Sequence, residues 1–232
     1  MANKSKKAKK KTTKANEANN EENVGTAVSK TELFFQKYDK LLTWILVGII
    51  VVIFGIYAVN KWVRKPKREE ATSQTFVAER YFRQDEFGKA LNGDGNNLGF
   101  LDIIKHYGAM GGEDVYFYTG ICEYNQGNYE EAIMYLKKYK SKEPVTAARA
   151  LCNIGDSYVN LNDNENALKY YKKAIEKADN PFTAKYMLKA GIICEELGEN
   201  DEALKYYNDI KIKYPQTYEA YEIDKYISRI TK

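Results

Sequence analysis

The sequence predicts an all-α chain in which a single apolar helix precedes a solenoid of helical hairpins. Two patterns predict this class: an uncharged run of 19 residues, and small residues that recur every 35 or 36 positions. Charge is divided along the chain, because residues 1–65 carry 13 Lys/Arg against 5 Asp/Glu, whereas residues 66–232 carry 23 against 27. A nucleic-acid-binding domain would carry its positive charge on the fold itself, so we expect no specific nucleic-acid partner.

The apolar run extends from Leu41 to Val59, and 13 of its 19 residues are Leu, Ile, Val or Phe. At about 1.5 Å per residue a helix of this length spans roughly 28 Å, close to the hydrocarbon thickness of a bilayer. Trp44 and Trp62 lie at its two ends, where interfacial aromatic residues occur. A cleaved signal peptide has a shorter apolar core nearer the start of the chain. We therefore expect a transmembrane helix over residues 41–62 behind a basic, disordered tail over residues 1–40.

The basic residues around this helix favour two opposite orientations. Five of them follow the helix closely, at Lys61, Arg64, Lys65, Lys67 and Arg68. By the positive-inside rule these place the body in the cytoplasm, but the preceding tail holds ten lysines and large C-terminal domains translocate with little regard to charge. We expect a cytoplasmic N-terminus and a body on the far side. The tail is either a solvated determinant of topology or a contact for anionic lipid or RNA.

The spacing of small residues predicts helical hairpins. Alanine follows glycine by twelve positions three times, aromatic residues recur behind the alanine, and Pro144 and Pro215 each follow a glycine by 24. We expect each glycine to face its alanine where two helices cross, because only small residues let the backbones approach closely. Proline then ends the second helix. The predicted packing pairs are Gly120 with Ala132, Gly155 with Ala167, and Gly191 with Ala203.

The segments GICEYNQGNYEEAIMYLKKYKSKEP, IGDSYVNLNDNENALKYYKKAIEKADNP and AGIICEELGENDEALKYYNDIKIKYP resemble the tetratricopeptide repeat (TPR). The resemblance implies three repeats over residues 113–216. They depart from the motif at Glu123 and Cys194, where an aromatic residue is usual and only Tyr158 retains it. A fourth copy, interrupted by NGDGNNL, is predicted within residues 63–112, with Ala78 and Ala90 in the glycine and alanine positions. A capping helix is expected over residues 217–232, as solenoid ends require.

The inserted NGDGNN also has the oxygen-bearing side chains of a calcium loop, at Asn92, Asp94 and Asn96. An EF-hand loop needs glycine at its sixth position and glutamate at its twelfth. Asn97 and Ile103 stand at those positions, so we expect a turn or a partner-binding loop instead.

No other pattern predicts a catalytic or metal site. His106 is the single histidine, and no acid is placed to make it a base. The three cysteines are 30 and 42 residues apart, which matches no metal motif, so buried thiols are expected. We expect a protein that is not an enzyme and needs no metal, cofactor or small-molecule substrate.

In TPR proteins the first helix of each hairpin lines a concave groove, and such grooves bind extended or helical peptides. Some TPR domains hold a C-terminal carboxylate with lysines and asparagines. Lys185 and Lys189 suit such a clamp, but Phe117 and Ile121 stand where Lys and Asn are needed, so no clamp is expected. The alternative for several groove residues is burial between helices. The resemblance implies a groove lined by Phe117, Ile121, Tyr124, Cys152, Asp156, Val159, Lys185, Leu188, Ile192 and Glu195.

The whole architecture, an anchor with a small TPR solenoid, resembles the YfgM-like family of ancillary Sec translocon subunits in the bacterial inner membrane. The resemblance implies a non-catalytic, chaperone-like scaffold with its repeats in the periplasm. Its partners would be translocon subunits, a membrane-anchored foldase or emerging polypeptides. Two alternatives remain: an adaptor for envelope assembly or cell division, and a cytosol-facing adaptor whose tail binds lipid or RNA.

Overall fold

The computed structural model describes residues 38–112 and 114–231, so nearly all of the predicted basic tail over residues 1–40 lies outside the described residues. The chain divides into two units, Met1–Arg64 and Lys65–Lys232. Helices account for the regular structure of the described residues in both units.

Helix α1 runs from Tyr38 to Arg83 and is long and apolar enough, by length and composition, to cross a membrane. A π-helical turn occupies Asn60–Arg64. The predicted interfacial residues Trp44 and Trp62 both lie in this helix and are exposed. The predicted span over residues 41–62 thus falls within one helix.

The second unit begins with the Lys65–Arg83 part of α1 and continues as antiparallel helix pairs. The helices are α2 (Phe87–Asn92), α3 (Phe100–Tyr107), α4 (Asp114–Asn125), α5 (Tyr129–Lys138), α6 (Pro144–Asn160), α7 (Asn164–Lys177), α8 (Phe182–Glu196), α9 (Asn200–Lys213) and α10 (Tyr218–Ile230). A short 3-10 helix, Gly108–Gly111, follows α3. Consecutive helices pack against each other from α4 to α9, and α10 packs on α9 and α8.

The four hairpins, including the interrupted one at the start of the unit, have the same type of turn. In each turn a backbone N–H bonds back to the carbonyl five residues earlier, which satisfies a carbonyl left free at the helix end. One residue of each turn has a positive φ, as this geometry requires: Asp85, Gly127, Asn162 and Gly198. The donor and acceptor pairs are Glu86 and Tyr81 (3.0 Å), Asn128 and Glu123 (2.9 Å), Asp163 and Tyr158 (2.9 Å), and Glu199 and Cys194 (2.7 Å).

The side chain nearest to each repeat glycine lies sixteen residues later in the chain. The alanines are fully buried, but a Cβ on Gly120 would lie 2.5 Å from the Leu136 side chain, and a Cβ on Gly155 would lie 2.5 Å from the Tyr171 ring. A Cβ on Gly191 would likewise lie too close to the Tyr207 ring. The closest contact therefore joins each glycine to the side chain sixteen residues later, and in the first repeat the Ala132 carbonyl also lies 3.1 Å from the added Cβ.

The inserted segment is a closed loop fastened by Asp94. The Asp94 carboxylate accepts hydrogen bonds from the backbone N–H groups of Asn96 (2.9 Å) and Asn97 (2.7 Å), and from the Tyr81 hydroxyl on α1 (2.7 Å). The hydrogen bond from Tyr81, followed by those from Asn97 and Asn96, lowers the pKa of Asp94. Its oxygens are occupied by protein donors, in keeping with a turn. Among the described residues no group of three or more His, Cys, Asp or Glu is placed to hold a metal ion.

The three cysteines are buried in the helix interfaces, as the sequence predicts. Burial raises the pKa of each thiol to about 12, so Cys122, Cys152 and Cys194 are neutral at physiological pH. A neutral thiol packs as a small apolar group.

Substituting Gly191 by alanine is expected to destabilise the second unit by about 1–3 kcal/mol, because the Tyr207 ring above it is fully buried and its hydroxyl is bonded to Glu195. Thermal unfolding of the full chain in mild detergent, followed by far-UV circular dichroism, measures the effect. Gly88→Ala is the control, because nothing lies within 4 Å of its added Cβ and the helix gains about 0.5–1 kcal/mol from the lost glycine. Equal midpoints for the two variants would refute the packing role of Gly191.

A candidate polypeptide-binding groove

Two adjoining cavities lie along the first helices of the repeats. The first cavity lies between α4, α6 and α8, and the second lies between the N-terminal halves of α6 and α8. Asp156 and Lys189 line both, so the two cavities form one groove. The first is lined by Tyr124, Asp156, Val159, Asn160, Tyr171, Lys189, Ile192, Ile193 and Glu196. The second is lined by Val145, Thr146, Arg149, Cys152, Asn153, Asp156, Phe182, Lys185, Tyr186 and Lys189.

An ion pair at the centre of the groove joins two repeats. The Lys189 ammonium on α8 donates to both carboxylate oxygens of Asp156 on α6, at 2.5 and 2.6 Å. The Tyr171 hydroxyl on α7 donates to the same carboxylate at 2.7 Å. Burial and the Asp156 charge raise the pKa of Tyr171, which keeps its hydroxyl protonated as a donor. The side chains of Lys189 and Asp156 are only 28% and 16% exposed, so this pair is screened less than a surface pair.

The structure brings six of the sequence-predicted residues into this groove: Tyr124, Cys152, Asp156, Val159, Lys185 and Ile192. The other four line neither of these two cavities. Phe117 is 7% exposed and packs in the core against Tyr139, with ring centroids 5.2 Å apart. Ile121 and Leu188 are partly buried against core clusters. Phe117 is therefore a core residue, whereas Ile121 and Leu188 are partly buried and line neither of the two cavities.

The fourth, Glu195, fastens the capping helix. Arg229 on α10 donates to its carboxylate through Nε at 2.9 Å and through Nη2 at 2.7 Å. The Tyr207 hydroxyl on α9 also donates to it. Burial raises the pKa of Glu195, but the hydrogen bonds from Arg229 and Tyr207 outweigh this, and the pKa lies below its usual value. Glu195 is thus held by the protein itself and is not available to a partner.

The groove residues that the sequence prediction misses lie on the same helix faces as those that it finds. On α6 the lining residues Arg149, Asn153, Asp156 and Asn160 are four, three and four apart, and on α8 the same steps join Lys185, Lys189, Ile192 and Glu196. Steps of this size mark one face of a helix. The sequence prediction places Leu188 and Glu195 in the groove, whereas the structure has Lys189 and Glu196 there. The predicted face of α8 is therefore rotated by one residue from the observed face. The recurrence of charged and amide residues at these steps is the sequence pattern that indicates the groove-lining face.

Comparison with known protein families identifies the type of repeat that the helical hairpins form. A tetratricopeptide-repeat family model matches residues 114–144, and a second one matches residues 146–210. Both of these segments are tetratricopeptide repeats.

The curated relatives that match part of the chain are photosystem I assembly proteins. Photosystem I assembly protein Ycf3 from Cuscuta gronovii is 31% identical over 85 residues, which are 36% of this chain and 49% of that protein. Ycf3 from Prochlorococcus marinus (strain NATL1A) is 28% identical over 109 residues, 46% of this chain and 62% of that protein. The chain therefore spans about half the length of the curated relatives it matches.

The solved structures are similar in fold. A crystal structure of MamA protein superposes with a TM-score of 0.56 at 18% identity, covering 70% of this chain and 83% of that one. YrrB, described as a TPR protein with an unusual peptide-binding site, gives a TM-score of 0.51 at 17% identity, covering 75% and 83%. Together with the family matches, these similarities show an all-helical TPR solenoid.

Glu195→Gln is expected to lower the stability of the second unit at pH 7 by about 1–3 kcal/mol, because charged hydrogen bonds to Arg229 are lost. A carboxyl whose pKa is depressed by folding contributes stability above its unfolded value of about 4.3 and loses it as the pH falls through the folded value. The wild-type chain should therefore lose stability more steeply than the variant below about pH 4.3. Urea unfolding across this pH range measures both slopes.

Glu176→Gln is the matched control, because Glu176 is exposed on α7, outside the groove. Its unfolding free energy should follow that of the wild type throughout the pH range. Parallel slopes for the Glu195→Gln variant and the wild type would contradict the role given to this carboxylate.

Proposed function

We propose that the chain is a membrane-anchored, non-catalytic TPR scaffold that binds polypeptides or protein subunits beside a bacterial Sec translocon, on the periplasmic side. The observation that carries the proposal is the joining, in one chain, of an apolar helix of membrane-spanning length to a TPR groove. The resemblance to YfgM-like ancillary subunits supports the choice of the translocon.

Tethering explains how a shallow groove serves such a role. An anchor confines the groove to the neighbourhood of the membrane, and a partner in the same membrane meets it at a high effective concentration. Weak contacts to Val159 and Ile192 then suffice for binding. Emerging polypeptides, translocon subunits and a membrane-anchored foldase are the partners that fit this arrangement.

A second candidate function is an adaptor for the assembly of another envelope complex, such as one of cell division. The observation that favours it is the name of the curated relatives, which are photosystem I assembly proteins. Assembly factors and translocon helpers both bind polypeptides, so the two candidates differ in the partner and share the groove.

Ile192→Glu is expected to reduce the recovery of groove-bound partners at least tenfold, because it places a charge on an apolar side chain of the groove beside Glu196. Affinity purification of the full chain from mild detergent, with quantitative mass spectrometry, measures this recovery. Ile212→Glu is the matched control, because Ile212 is 75% exposed on α9 and lines neither groove cavity.

The identity of the recovered proteins decides between the candidates. The translocon proposal is supported if channel subunits and a foldase are recovered with the Ile212→Glu variant but are lost with the Ile192→Glu variant. Subunits of a different envelope complex with the same dependence support the assembly adaptor. Equal recovery by both variants would refute binding through the groove.

The proposed orientation gives a separate expectation. Protease added outside spheroplasts should digest the repeats, because they lie on the periplasmic side, and should leave a cytoplasmic N-terminal tag intact. Lysed spheroplasts, in which both parts are accessible, are the control. A protected body and a digested tag would overturn this orientation. A protected body would also support the cytosol-facing adaptor whose basic tail binds lipid or RNA.

A further inference from the structure

The second cavity carries positive charge that the protein does not neutralise. Of its ten lining residues Arg149, Lys185 and Lys189 are cationic, and Asp156 is the single carboxylate. Asp156 is already held by Lys189 and Tyr171. Among the described residues, neither Arg149 nor Lys185 forms an ion pair with a carboxylate. Two exposed cations therefore remain at this end of the groove, on a unit whose residues are acidic in sum.

Apolar surface lies beside these two cations. Phe182, at the start of α8, is 62% exposed, and Tyr186 one turn later is buried behind it. Val145 lines the opposite wall on α6. An exposed aromatic side chain in the same cavity as two cations suits a ligand that carries both negative charge and apolar groups.

The first cavity differs in charge. It contains the exposed carboxylate of Glu196, and its single cation, Lys189, is paired with Asp156. Val159 and Ile192 provide its apolar surface. The groove is therefore cationic at the N-terminal ends of α6 and α8, and apolar and weakly acidic towards their C-terminal ends.

We propose that the groove selects an internal polypeptide segment with acidic residues at one end and apolar residues at the other. The acidic side chains lie against Arg149 and Lys185, and the apolar side chains lie against Val159 and Ile192. Because side-chain carboxylates supply the negative charge, no free C-terminus is needed. The inference rests on the proposed function, since it names the class of polypeptide that the same groove binds.

The test uses the full chain in mild detergent and a fluorescent eight-residue peptide that is acetylated and amidated. The peptide has glutamates in one half and Leu and Phe in the other, and a matched peptide has glutamine in place of glutamate. Fluorescence anisotropy should show saturable binding of the acidic peptide at a Kd below about 1 mM, and at least tenfold weaker binding of the glutamine peptide. Added salt should weaken binding of the acidic peptide alone.

Variants locate the interaction. R149E together with K185E should weaken binding of the acidic peptide at least tenfold. The control, K140E together with K169E, makes the same change in net charge at exposed positions that line neither groove cavity, and should leave binding unchanged. Asp156→Asn frees Lys189 from its carboxylate partner and should strengthen binding about twofold to threefold.

Several outcomes would overturn the proposal. These are an absence of saturable binding, equal binding of both peptides, an equal loss in both double variants, or binding that requires a free C-terminal carboxylate. Equal competition by single-stranded DNA or by vesicles of phosphatidylglycerol would show a general polyanion site and would also overturn it. If Ile192→Glu still removes partners in that case, the scaffold function survives and only the acidic preference fails.

Discussion

The close approach of each repeat glycine to the side chain sixteen residues later sets the geometry of this solenoid. Gly155 lies under the Tyr171 ring and Gly191 under the Tyr207 ring, with no room for a methyl group between them. Because the ring cannot move outward without opening the buried core, the two helices of a hairpin are fixed at one separation. The faces of successive first helices then lie side by side, and that alignment creates the groove.

The same tyrosines connect packing with charge. The Tyr171 and Tyr207 hydroxyls reach past their glycines to carboxylates on the first helix of the same repeat, Asp156 and Glu195. Each carboxylate also forms an ion pair with a cation of the following helix. Asp156 pairs with Lys189 on α8, and Glu195 pairs with Arg229 on α10. One carboxylate thus holds a tyrosine of its own hairpin and a cation of the following helix. In the first repeat Leu136 replaces the tyrosine and no such hydroxyl exists.

The sequence predicts the helical class and the hairpins well, because glycine, alanine and turn positions recur at a fixed spacing. The interrupted hairpin illustrates this, since its turn at Asp85 and its buried Ala90 repeat the geometry of the other three. The side chain that covers each glycine is not predicted in the same way. Spacing along the chain identifies the small residues, whereas the tilt of one helix across the other brings the side chain sixteen positions later over the glycine.

The groove shows the same limit on a finer scale. Helical periodicity predicts that one face of α8 lines it, but a rotation by a single residue exchanges Glu195 for Glu196 and Leu188 for Lys189. The docking of α10 decides the role of Glu195, since Arg229 and Tyr207 both bond to its carboxylate. The internal ion pairs therefore determine which charges remain for a partner. Carboxylates join the repeats, and Arg149 and Lys185 remain without a carboxylate partner at the cationic end of the groove.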